Sequence, residues 1–267
     1  GAQFALLNCA FLVGSLGAGR LSSNSFSIRL GYTISASCSF VAALFIYLKM
    51  PETLSPEEKT PFNVHQTFKK ILEAPFSCTK LLFNHGKQMR ILALIMLLQT
   101  MPMFMGDVLQ LYSTDEWKLD GLNFSNMIAV MCLAGIVGNT AASKVVIRRL
   151  GMKLFMGVAT LSSLFFPLGV CLGYKYALAG SCIGCLGSAQ MLGTTAALMS
   201  QGSKSDMKQG ELAGERASFM AMLKVVGPLM YALIYQRGQK IGVSYLPFMF
   251  NAFIGLMAFT LVQCHLL

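Results

Sequence analysis

Charge is scarce in this sequence. Of 267 residues only 12% are Asp, Glu, Lys or Arg, about half of what a water-soluble domain carries, and that excludes an ordinary soluble fold. Histidine is scarcer. His65 and His85 fall in a connector and His265 near the last residue, without cysteines or paired carboxylates at ligand spacing, so neither a metal centre nor a cofactor is expected. G-x-x-x-x-G-K-[ST], G-x-S-x-G and H-E-x-x-H do not occur, which leaves an ATP-driven pump or an intramembrane hydrolase without support. The chain is not expected to be an enzyme.

What is present is long apolar runs. Hydrophobic residues make up 55% of the chain, and mean hydropathy is +0.60. Six stretches contain no Asp, Glu, Lys or Arg: 1–19, 30–48, 121–143, 154–174, 176–203 and 241–267. Two more hold one charge each, Asp107 within 91–112 and Lys224 within 217–236. Each is close to the roughly 20 residues that cross the hydrocarbon core, so the expected fold is an all-α membrane protein with eight transmembrane helices. A β-barrel needs alternating segments of about ten residues, whereas these are apolar on all faces and twice that length. Residues 1–19 lack the preceding basic stretch of a signal peptide, and the chain is expected to continue a longer protein. Seven cysteines (Cys9, Cys38, Cys132, Cys171, Cys182, Cys185 and Cys264) lie in the apolar runs and Cys78 in a connector. They are expected to be reduced core thiols, with Cys182 and Cys185 as small packing residues rather than a redox or metal pair, which needs solvent access.

Connectors alternate sides, so the basic residues set an orientation. The links at 49–90, 144–153 and 204–216 hold fourteen Lys and Arg, against six on the other face. By the positive-inside rule the first set is cytoplasmic, or on the equivalent organellar side, as are both ends of the chain. Topology and lipid headgroups account for the net charge of +10, and no nucleic-acid partner is needed. The expected organisation is two helices at about 3–19 and 30–49, a basic cytoplasmic connector at 50–90, and a six-helix bundle at 91–267. Ser55-Pro56-Glu57-Glu58 has the chemistry of a helix start. Phe62, Phe68, Ile71, Leu72, Phe76, Leu81 and Leu82 would then lie along the membrane surface. A solvated tether with local helix is the competing reading.

Two spans, a long cytoplasmic connector and six more spans resemble the major facilitator superfamily, as helices five to twelve. "MPETLSPEE" at 50–58 is similar to the Pro-Glu-Ser/Thr-Leu that often follows the sixth helix in the drug-antiporter and tetracycline-exporter branch. "GNTAASKVVIRRLGMK" at 138–153 resembles the basic loop between helices eight and nine. Arg149, Gly151 and Lys153 match that conformational loop, while Arg148 stands where it usually has Asp. Ala10, Gly14, Ser15, Ala18 and Gly19 occupy the places of the antiporter motif G-x-x-x-G-P-x-x-G-G, with Ser for Pro; small residues at this spacing let helices approach closely. "GELAGERASFMAMLKVVGPLMYALIY" at 210–235 resembles the eleventh helix. The resemblance implies two helices of an N-terminal bundle followed by a complete C-terminal bundle. It also implies that Gln99, Gln190 and Tyr231 line a central cavity, and that Asn251 sits on a peripheral helix.

Lys224 is the sharpest single residue. It lies about 12 Å along its helix from Arg216, and a lysine at mid-bilayer costs about 2.5–3.5 kcal/mol on insertion scales. Snorkelling toward the headgroups is one answer. The other starts from Pro228, which cannot donate to the carbonyl of residue 224; with Gly227 beside it, this turn belongs on a wet cavity, where alternating-access transporters build sites. Lys224 then serves as counter-charge for an anionic solute or meets an acidic side chain. Asp107 follows Pro102, so that helix is expected to be broken too. Its carboxylate is either solvated or, with a pKa raised by burial, a gate or proton carrier. The expected function is secondary active transport of a small organic solute by alternating access, with a proton as candidate coupling ion. The alternative is a degenerate facilitator-like structural subunit of a larger membrane complex. Expected partners are the solute, the bilayer, and either further N-terminal helices or a partner membrane protein.

Overall fold

The computed structural model describes residues 2–21, 27–49, 81–83, 85–205 and 209–266, with side chains in the first two helices described for 6–17, 20 and 33–49. It is built from α-helices: α1 Ala2–Leu21, α2 Ser27–Lys49, α3 Gly86–Thr100, α4 Gly106–Asp115, α5 Gly121–Val137, α6 Ser143–Ser162, α7 Phe165–Leu172, α8 Tyr174–Ile183, α9 Gln190–Lys204, α10 Gln209–Lys240 and α11 Leu246–Leu266. There is no strand among the described residues.

Four helical stretches are long and apolar enough to cross a membrane: Gly86–Asp115, Gly121–Leu172, Gln209–Lys240 and Leu246–His265. The bent pair Tyr174–Ile183 and Cys185–Lys204, angled by 58°, makes a fifth if taken as one span. At 1.5 Å per residue, the 52 residues of Gly121–Leu172 would be about 78 Å long if straight, more than twice a hydrocarbon core of ~30 Å. They are not straight, because Gly151 has φ 78° and ψ 169°, a backbone that side chains with a Cβ rarely adopt. Gly173, at φ 124°, likewise ends α7 where α8 begins.

Local chemistry sets these boundaries. Asp120 is extended, and its carboxylate accepts from the Asn123 N–H at 2.8 Å, so α5 starts with one orphan donor satisfied. In α10 the buried residues Leu212, Glu215, Phe219, Leu223, Gly227, Tyr231, Tyr235 and Gly238 recur at three- and four-residue steps and form one stripe. The bundle has two main clusters of buried side chains. Leu81, Leu92, Met96, Leu198, Phe219 and Leu223 form one, and Met105, Leu109, Tyr112, Met127, Tyr231 and Phe248 the other. α1 lies along α5, where a Cβ added to Gly135 would come 2.8 Å from Asn8 Nδ2. α2 is exposed at every position from 33 to 49.

Three expectations need correction. α3 begins at Gly86, five residues before residue 91, and the connector's last turn is core rather than membrane surface. There Leu81 is fully buried. Arg90 turns this segment back, its Nε donating to the Leu82 carbonyl at 2.8 Å and its guanidinium lying 5.9 Å from the Phe83 ring centre. The helix expected from Ser55, with Phe62 to Phe76, lies outside the described residues, as does Cys78. Finally, the thiols are mostly not core: Cys132 is buried, Cys171 and Cys185 are half-buried, and Cys9, Cys38, Cys182 and Cys264 are exposed. A small, weakly polar side chain is tolerated on an outward helix face as readily as inside.

Candidate functional site

The site is organised by irregular turns in the helices. Between α3 and α4 the residues Met101–Met105 form a 3₁₀ segment with Pro102 at its start. A tighter turn rotates the following side chains relative to a continuous helix. At Pro102 the helix tightens without interruption, and Gly86–Asp115 continues as one helical stretch. A second turn short of one backbone donor, at Pro228 inside the otherwise continuous α10, packs directly on it: a Cβ on Gly227 would come 2.5 Å from the Phe104 ring. Only glycine lets the α10 backbone approach that ring so closely.

Beside the 3₁₀ segment lies a cavity of about 300 Å3, bordered by Pro102, Met105, Ile128, Phe166, Pro167 and Asn251, among others. Its wall is apolar apart from Ser163 and Asn251. Asn251 is held on two sides, since Tyr231 O–H donates to its Oδ1 and its Nδ2 contacts Met105 Sδ at 3.1 Å. Both Tyr231 and Asn251 are buried. A pocket of this size with few fixed polar groups suits a small, largely apolar molecule.

A second polar cluster lies deeper. Gln99 Nε2 donates to Thr160 Oγ1 at 2.9 Å, and Thr194 Oγ1 donates to Gln99 Oε1 at 2.7 Å. Gln190 Nε2 donates to the Gln99 backbone carbonyl at 3.1 Å. Pro102, close by, brings no N–H to its turn, and the glutamine amide supplies a donor there. All four side chains are buried, and the cluster joins α3, α6 and α9. A third irregularity is the π-helical turn Gly138–Ala142. A Cβ on Gly138 would lie 1.8 Å from the Cys185 carbonyl oxygen. Asn139 Nδ2 donates to the Gly135 carbonyl and to Ser188 Oγ, both at 2.9 Å.

The sequence-derived residues thus fall into separate places. Gln99 and Gln190 share one buried cluster, while Tyr231 reaches the cavity through Asn251. Lys224 is exposed on α10, flanking its buried stripe, and Asp107 is exposed at the start of α4. Arg149 and Lys153 are exposed on either side of the Gly151 bend. Asn251 was assigned to a peripheral helix, yet it borders the cavity. Another pairing had no local signal at all: His85 Nε2 lies 2.8 Å from the buried Glu215 Oε2 across 130 residues of sequence, tying the start of α3 to α10. No protein-family model matches this chain, and no curated protein matches it either.

Proposed function

We propose that this chain is the larger part of a secondary active transporter of a small organic solute, of the major facilitator type, working by alternating access with a proton as the candidate coupling ion. In this reading the helices form eight spans: α1, α2, α3 with α4, α5 with the start of α6, the rest of α6 with α7, α8 with α9, α10, and α11. The Gly151 bend divides the 52-residue stretch, and the first two spans belong to an N-terminal bundle completed by further helices. The supporting observation is that the 3₁₀ segment at 101–105, which borders the cavity, is packed through Phe104 against Gly227 in the proline-bearing turn of α10. Non-regular backbone at membrane depth is tolerated where it is enclosed by protein or lines a water-filled space, and discontinuous helices build transporter sites. The apolar wall favours a solute with a substantial hydrocarbon part. Lys224, exposed on α10, meets the solute's anionic group or a carboxylate of the other bundle. The loop at Arg149, Gly151 and Lys153 acts as the hinge.

Tetracycline and ethidium accumulation in proteoliposomes of the full-length protein, driven by an imposed pH gradient, tests this. At least one solute should accumulate, and Lys224→Met should reduce accumulation at least tenfold without lowering protein stability, because the side chain is exposed. Absence of gradient-driven flux, or unchanged kinetics in Lys224→Met, would overturn the assignment. Arg148 in place of the loop aspartate favours the second reading, a structural subunit of a membrane assembly. Stable co-purification with a large complex, without flux, would support it.

A further inference from the structure

A second cleft lies away from the cavity, at the ends of four helices. It has a volume of about 530 Å3. Lys87 and Gln88 enter it from the first turn of α3, Lys153 from just beyond the Gly151 bend, Gln201 and Lys204 from the last turns of α9, and His265 from the end of α11. Ile91, Leu92 and Ala197 supply an apolar side. Among the described residues no carboxylate lines the cleft, and none lies within salt-bridge reach of its three lysines. By the positive-inside count, all of these groups sit on the cytoplasmic face, at the level where lipid headgroups begin.

Three lysines bordering one cleft give it a positive potential, which reaches over the ~8 Å screening length at physiological salt. The neutral donors of Gln88, Gln201 and Ser200, which also borders the cleft, fit the several acceptor oxygens of a phosphate. The last carbonyls of α9 and α11 point their negative dipole ends toward this region, which disfavours an anion. A lysine in the last turn of α9 and a histidine in that of α11 offset those ends, leaving Lys87 and Lys153 to supply net positive charge. Leu150, Met152 and Leu154, around Lys153, are exposed and apolar, as is Met199 beside Ser200. A cationic cleft between helix ends with an apolar shoulder is the arrangement that recognises anionic headgroups at a cytoplasmic surface.

We propose that this cleft is a binding site for a phosphate group, carried either by an anionic phospholipid or by a soluble phosphate compound. The site does not depend on transport. The full-length protein, purified in detergent, is titrated with dioleoyl phosphatidylglycerol, with dioleoyl phosphatidylcholine and, separately, with inorganic pyrophosphate, and binding is read by native mass spectrometry and calorimetry. Phosphatidylglycerol should bind at least tenfold more tightly than phosphatidylcholine. The double variant K87Q/K204Q should lose that preference, K87R/K204R should keep it, and K175Q/K240Q, with the same charge change on the opposite face, should also keep it. Saturable pyrophosphate binding that requires Lys87 and Lys204, with no phosphatidylglycerol preference, would assign the soluble source. The proposal is overturned if neither probe binds above phosphatidylcholine, or if any preference survives in K87Q/K204Q or disappears equally in K175Q/K240Q. All four substituted lysines are exposed, and thermal unfolding of each variant verifies that the fold is intact.

Discussion

α2 is the more apolar helix and α6 carries Lys144, Arg148, Arg149 and Lys153, yet their aromatic residues meet fates opposite to that order. Phe40 and Phe45 in α2 are 70% and 63% exposed, whereas Phe155 in α6 is fully buried. α1 packs along α5, with Asn8 against Gly135, and the bundle holds its helices through packed side chains, glycine crossings and the Gln99 cluster. Burial in a chain of this composition therefore does not follow from hydrophobicity. Lipid is as apolar as a leucine core, so helices associate through close packing and interhelical hydrogen bonds rather than by escaping water. The bundle has both devices, whereas α2 is exposed at every residue from 33 to 49.

The sharpest way to break this contrast is at the tightest crossing. Gly138→Val puts a branched side chain where a single Cβ would already lie 1.8 Å from the Cys185 carbonyl; overpacking typically costs about 1–3 kcal/mol and more where backbone must move. The variant is expected to lose folded protein entirely, seen as loss of a monodisperse peak in size-exclusion chromatography. Phe155→Ala comes next, at about 2 kcal/mol or more, because a cavity remains although lipid rather than water receives the ring on unfolding. Phe40→Ala, its counterpart in α2, should stay within ~0.5 kcal/mol. Equal thermal shifts for the two would dissolve the distinction between the regions. Gln99→Leu should be smaller than Phe155→Ala, about 1 kcal/mol: it removes two interhelical hydrogen bonds at roughly 0.6 kcal/mol each in a bilayer protein. Hydrogen exchange of α3 and α9 should rise locally in that variant.

The elements themselves were largely readable from the sequence. Apolar length marks the helix bodies, because that signal is local in the chain; the Asp120 cap, the bend at Gly151 and the end at Gly173 came from the structure. The cavity was not readable, since it depends on which face of each helix turns inward. Asn251 borders it because Tyr231, twenty residues earlier, holds its amide; Gln99 and Gln190 turn to each other. His85 and Glu215 illustrate the same limit, as a hydrogen-bonded pair 130 residues apart brought together only by the tertiary fold.

Composition and spacing by themselves determined an all-α chain with several helices of membrane-crossing length. Tertiary structure alone decided which side chains are enclosed and which polar groups find partners. The physical reason is that backbone hydrogen bonding and hydrocarbon length act on consecutive residues, whereas shape complementarity between helices is a property of surfaces assembled from distant ones.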